Sequence, residues 1–257
     1  MQRPYVIRMF KVKRLLLFLG LLLMPSAALA DCVIFLHGYS RSATSFSIMS
    51  QVFSQKGYQT VKIGYASLED QIPTLAKTAI PEAIKQCEGD NNKIHFVTHS
   101  LGGILLRKHL ADHEVLRLGR SVMLGSPNQG AKIVDKLEGF EVFNKLSGPA
   151  LKSLRTGTRG APANLPPVTF ELGVIAGTRS LNPVGSLLID GPSDGAVSVE
   201  TTKVKGMKDH IILPVTHTLM MNNPMVISQT IRFIEGGKFD HGLNLLDAVK
   251  SLSKDED

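Results

Sequence analysis

The 257-residue chain is 43% hydrophobic and 20% charged, enough apolar material for one domain with a sizeable core. Most of its formal charge of +7 comes from the amino end: five of its 29 Lys and Arg residues, and none of its 22 Asp and Glu residues, lie in residues 1–14. The rest of the chain holds 24 basic against 22 acidic residues, with no basic cluster interleaved with aromatics, which argues against a nucleic-acid partner.

The amino end reads as a targeting segment. "MQRPYVIRMFKVKR" is basic, "LLLFLGLLLM" is apolar, and "PSAALA" ends in Ala28-Leu29-Ala30. A charged stretch, a short apolar run and an A-x-A site describe a signal peptide over residues 1–30, cleaved near Ala30. The alternative is a retained anchor, but a spanning helix needs about 20 apolar residues. Asp31 precedes Cys32, so a lipoprotein signal does not fit. The expectation is an exported chain, periplasmic or secreted.

The elements follow in order. "CVIFLHG" (32–38) predicts a buried strand ending in glycine, and 42–58 an amphipathic helix. "QTVKIGY" (59–65) is a second strand. Residues 67–89 read as helix in two pieces, with Pro73 and Pro81 near helix starts. "KIHFVTH" (93–99) is a third strand and 102–113 a helix. "SVMLGSP" (121–127), "TFELGVIAG" (169–177) and "DHIILPV" (209–215) are strands four to six, and 224–237 is a closing helix. Short, continuously apolar strands alternating with helices predict an α/β fold, a mostly parallel sheet of about six strands with helices on both faces.

Residues 128–168 are too many for a plain connection. Within them 131–146 places Ile133, Val134, Leu137, Phe140, Phe143 and Leu146 near one helical face, which reads as a cap over the site or, alternatively, as a surface helix and loop. Residues 238–257 are expected to form a tail, frayed at "SLSKDED".

The only cysteines are Cys32 and Cys87. In an exported chain an even count favours a disulfide. Cys32 opens a strand and Cys87 ends a helix that leads into another, so both lie at one edge of the sheet. Two free buried thiols are the alternative. Without a histidine at ligand spacing the pair makes no zinc site.

Ligands in such folds bind at the carboxyl ends of strands. There "FVTHSLGG" (96–103) places Ser100 on a strand–turn–helix junction, close to the nucleophile-elbow pattern G-x-S-x-G. Thr98 departs from the pattern; Gly102 and Gly103 supply small residues on the helix side. A serine needs a base, and His217 in "LPVTHTLM" lies just past the sixth strand. His210 lies at the wrong end of that strand. His113 reads as a surface group, His241 as part of the tail, and His95 and His99 as packed side chains. The orienting acid is expected after the fifth strand, where "IDGPSDGAVSVE" offers Asp194, with Asp190 as the alternative, each also readable as a plain Asp-Gly turn. Oxyanion donors would be the backbone N–H groups of Tyr39, after Gly38, and of Leu101.

"FLHGYS", "FVTHSLGG", "LGSPNQG", "SDGAVSV" and "LPVTHTLM" together resemble the α/β-hydrolase superfamily, in particular small bacterial secreted lipases and esterases, over residues 32–236. The resemblance implies an α/β-hydrolase fold with a small cap insertion and hydrolysis of carboxylic esters without cofactor or metal. By it Ser100, Asp194 and His217 form a triad, and Tyr39 and Leu101 an oxyanion hole. The substrate would be a small acyl ester or lipid, and the reading admits transient contact with a membrane surface. An acyltransferase or thioesterase would use the same triad, and a non-catalytic binding protein the same scaffold.

Overall fold

The computed structural model describes residues 31–89 and 92–253. The expected signal peptide, residues 1–30, lies outside the described residues, as do 90, 91 and 254–257. No helix among the described residues is long and apolar enough to cross a membrane.

In chain order the elements are β1 (Cys32–Leu36), α1 (Ser47–Gln55), β2 (Gln59–Ile63), α2 (Ile72–Lys85), β3 (Ile94–His99), α3 (Leu101–Asp112) and β4 (Leu118–Leu124). The segment after β4 holds α4 (Lys132–Leu137), α5 (Glu141–Leu146) and α6 (Pro149–Lys152). Then come β5 (Leu172–Arg179), α7 (Pro183–Leu188), α8 (Val199–Thr202), β6 (Asp209–Thr216), α9 (Pro224–Gly236) and α10 (Leu245–Leu252).

The six strands form one sheet in the order β2-β1-β3-β4-β5-β6, and every neighbouring pair is parallel. Alternate side chains serve opposite faces. Cys32, Ile34 and Leu36 of β1 join one core cluster with residues of α2 and α3; Val33 and Phe35 join the other with residues of α1 and α9. Burial on both faces is why the inner strands, β1 foremost, read as unbroken apolar runs. Next to each other in the sheet, β1 and β3 send their chains in opposite directions, to β2 and to β4. Such a switch point leaves a crevice at the carboxyl ends of the two strands. Gly38 and Ser100 sit there.

The disulfide joins Cys32 to Cys87 with 5.8 Å between Cα atoms. It ties the start of β1 to the end of α2 and closes a loop of 55 residues.

Several boundaries differ from the sequence expectation. Helix α2 is continuous, with Pro73 in its first turn but Pro81 inside it. Pro81 has no N–H to offer, yet buried Ile80 and Ala83 and the nearby Cys87 crosslink hold the helix across it. Strand β4 starts three residues early and ends at Leu124, because Gly125 turns the chain with φ of +54°. Strand β5 likewise runs from Leu172 to Arg179.

The expected helix over 131–146 is two short helices broken at Gly139-Phe140. Of its proposed apolar face only Val134 is fully buried, while Phe140 and Leu146 are 61% and 77% exposed. The tail is not all frayed. Asn244 caps α10 by accepting from the Asp247 N–H at 3.0 Å, and Ala248 and Leu252 pack beneath it. Ser251 and Ser228 share a 2.9 Å hydrogen bond between α10 and α9.

Candidate active site

Three groups of residues, from four chain segments, meet at the crevice. The first is the turn from β3 into α3. Ser100 has φ of +52° and ψ of −118°, a region that L-residues avoid and that costs of order 1–3 kcal/mol. Its N–H donates to the Leu124 carbonyl at 2.9 Å, pinning the turn to the end of β4. Ser100 is the N-cap of α3, so its side chain sits at the positive end of the helix dipole.

Two glycines make the turn fit. A Cβ on Gly102 would lie 2.5 Å from the Leu36 carbonyl oxygen and 2.8 Å from that of His37. A Cβ on Gly103 would lie 2.8 Å from Ser126 Cβ and 3.1 Å from Met123 Sδ. The close approaches of α3 to β1 and β4 therefore fall on Gly102 and Gly103. Thr98 is fully buried within β3, opposite Leu36 and Met123.

The second comprises the loops after β5 and after β6, where Asp194 and His217 lie. His217 follows β6, and its Nδ1 lies 2.7 Å from Asp194 Oδ2. A carboxylate only accepts, so the ring donates this bond from Nδ1–H. Asp194 is 2% exposed. Its Oδ1 accepts from the Ala196 and Val197 N–H groups at 3.0 and 2.7 Å, and the His217 N–H donates to its carbonyl at 3.0 Å. The loop "SDGAV" thus folds around its own carboxylate. Asp190, the alternative acid, is exposed four residues earlier. Gly125 completes the fit, since a Cβ there would lie 2.8 Å from Asp194 Oδ2 and 3.1 Å from His217 Nδ1.

His99 links the first two groups. Its Nε2–H donates to the His217 carbonyl at 2.9 Å, and the two rings are 4.5 Å apart. Burial, and next the nearby His217, hold His99 well below the ordinary histidine pKa, so it stays neutral. The sequence marked it only as a packed side chain; its place beside Ser100 in "THS" is the one signal that it serves the site. His95 pairs with Asp31 at 3.2 Å, His210 with Thr202 at 3.0 Å and His241 with Asp209 at 3.0 Å. None of the three is at the crevice.

The third group is the loop after β1. A Cβ on Gly38 would lie 2.7 Å from His99 Nδ1 and 3.1 Å from Ser100 Cβ, so the backbone passes directly over the turn. Among the described residues no hydrogen bond uses the N–H of Tyr39 or of Leu101. The loop is braced from β2: the Tyr65 hydroxyl donates to the His37 carbonyl, the two rings stack at 4.0 Å, and Ser67 Oγ accepts from the Ser40 N–H at 3.1 Å. That last bond steadies Ser40, whose φ is +54°. From the segment after β4, the Gly148 N–H donates to the Tyr39 hydroxyl at 2.8 Å.

A cavity of about 1020 Å³ opens at the opposite edge of the sheet, beside His95 and Arg120. Two ion pairs lie within its wall, Arg120 with Glu171 and His95 with Asp31, and no serine or cysteine lines it.

No sequence-family model and no curated protein sequence matches the chain. Solved structures do. A Bacillus licheniformis lipase in its mature form superposes with a TM-score of 0.60 at 19% identity, over 76% of this chain and 87% of that one. A Legionella pneumophila phospholipase gives 0.60 at 16%, over 87% of this chain and 62% of that one, less than two thirds of its length. A metagenomic carboxyl esterase gives 0.59 at 17%, over 76% and 66%. The six-stranded parallel sheet with its flanking helices is the α/β-hydrolase fold.

Proposed function

We propose that the chain is an exported serine hydrolase that cleaves carboxylic esters, with acyl or lipid esters as the substrate class. The observation that carries this reading is the Asp194–His217 pair, held by His99 against the turn that presents Ser100 at a helix N-terminus. Neighbours titled lipase, phospholipase and carboxyl esterase support it by fold.

In this mechanism His217 Nε2 takes the proton from Ser100 Oγ as Oγ attacks the ester carbonyl carbon. Negative charge develops on the carbonyl oxygen, where the N–H groups of Tyr39 and Leu101 receive it. His217 then protonates the departing alcohol, leaving an acyl group on Ser100. A water molecule, deprotonated by His217, attacks the acyl-enzyme and releases the acid. Asp194 fixes the imidazole tautomer and stabilises the transient imidazolium. His99 stays neutral and adds no competing charge beside it. The segment 128–168 serves as a cap through its contact with Tyr39, and the disulfide suits an oxidising compartment.

The test is hydrolysis of an acyl ester series, short to long, by wild type and Ser100→Ala. Wild type is expected to hydrolyse part of the series, with kcat lowered at least a thousandfold in the variant. Equal activity in the two, or none in wild type, overturns the proposal.

A further inference from the structure

Beside the oxyanion loop lies a second cavity, of about 540 Å³, lined by Ser40, Arg41, Ser42, Thr44, Ser67 and Glu69 among others. It begins where the candidate site ends: Ser40 follows Tyr39, and Gly38 passes 3.1 Å from Ser100 Cβ when given a Cβ. Tyr65 and Leu68, also in its wall, belong to the loop that braces His37 and Ser40. The backbone of Leu68 packs against Gly148 of the segment after β4.

Hydroxyl groups dominate this wall, with one guanidinium among them. Among the described residues Arg41 makes no ion pair and no side-chain hydrogen bond. Glu69, the one carboxylate in the wall, is not within ion-pair distance of it. Four other arginines do form ion pairs: Arg120 with Glu171, Arg155 and Arg159 with Glu138, Arg232 with Asp240. Arg41 is near enough to the crevice for its charge to act on His99. An unneutralised guanidinium flanked by hydroxyl donors suits a phosphate, which it can hold through two parallel N–H bonds.

We infer that this cavity is a subsite for an anionic phosphate group on the substrate, with Arg41 as its main ligand and the Ser42–Thr44 hydroxyl pair, whose members share a 2.7 Å hydrogen bond, as one further donor. This inference rests on the ester-hydrolase reading and narrows it. The substrate class becomes an acyl ester whose alcohol or head group carries a phosphate. The acyl carbonyl would lie at Ser100, with the phosphate reaching past Tyr39 and Ser40 to Arg41. Arg41 touches no reacting atom. It binds and selects.

The experiment has two arms. In the first, kcat/KM is measured for a lysophosphatidate and for the monoacylglycerol with the same acyl chain, on wild type, Arg41→Ala and Arg41→Glu. The ratio of phosphate ester to neutral ester is expected to fall at least tenfold in Arg41→Ala and further in Arg41→Glu. The same ratio in all three proteins overturns the subsite. In the second arm, binding of glycerol 3-phosphate and of glycerol is measured directly by calorimetry, with no turnover required. Wild type is expected to bind the phosphate and not glycerol, at least tenfold more tightly than Arg41→Ala. Equal or absent binding overturns the subsite even if esters are hydrolysed. Phosphate binding without any ester hydrolysis keeps the subsite and overturns the ester-hydrolase reading.

Discussion

At the scale of residues, the acid can be tested apart from its neighbour. Asp194 is buried and bonded to His217, whereas Asp190 is exposed four residues away. Asp194→Asn keeps the shape but presents an amide to Nδ1, which favours the wrong tautomer. Its kcat is expected to fall about 10⁴-fold, while Asp190→Asn stays within twofold of wild type. A large loss in the second variant and not the first would move the acid role to Asp190. Folding of both is checked by thermal melting.

At the scale of elements, the disulfide is the clearest stabilising device. It links the first strand of the sheet to the end of α2, around a Pro81 that leaves that helix short of one hydrogen bond. Closing a loop of 55 residues is worth about 4 kcal/mol in the chain-entropy model. A Cys32→Ser/Cys87→Ser double variant is expected to lose about 2–4 kcal/mol in urea unfolding. An unchanged midpoint would mean that packing of α2 alone holds this edge. The elements also show what can be read from a sequence. The inner strands were legible because β1, β3, the end of β4 and most of β5 are buried on both faces; the edge strands β2 and β6 mix buried and exposed positions instead. The broken helix in 131–146 was not, because six apolar residues at helical spacing say nothing about Gly139 interrupting them. Helix α10 was missed although Asn244, with Asp247 three residues on, offered a capping signal. Leu245, Ala248, Val249 and Leu252 also stand at helical spacing, but the helix spans only about two turns.

At the scale of the whole molecule, burial of neutral histidines couples folding to pH. Burial holds His37, His95, His99, His109 and His210 below the ordinary histidine pKa. The folded chain therefore resists protons that the unfolded chain accepts below about pH 6.5. The unfolded state then binds more protons, so stability falls as pH falls, by up to about 1.4 kcal/mol per pH unit for each such histidine. The lowered carboxylates Asp209 and Glu171 add their loss only at lower pH, near the carboxylate range. The unfolding midpoint in urea is expected to drop between pH 7 and pH 5; a flat profile there would show that these rings already bind protons in the fold. The same whole-molecule view explains what the sequence left open at the site. Ser100 and His217 were legible as residues just past strand ends. The brace from Tyr65 and Ser67, and the bond from His99 to the His217 carbonyl, were not, because they depend on which strands lie side by side in the sheet.

The central claim is that Ser100 is the nucleophile, and intact-protein mass spectrometry after reaction with an activated phosphonate ester tests it most directly. The account requires one adduct per chain, mapped to Ser100 by peptide digestion, absent in Ser100→Ala and strongly slowed in His217→Ala. An adduct on another residue, or an undiminished adduct in Ser100→Ala, would contradict it.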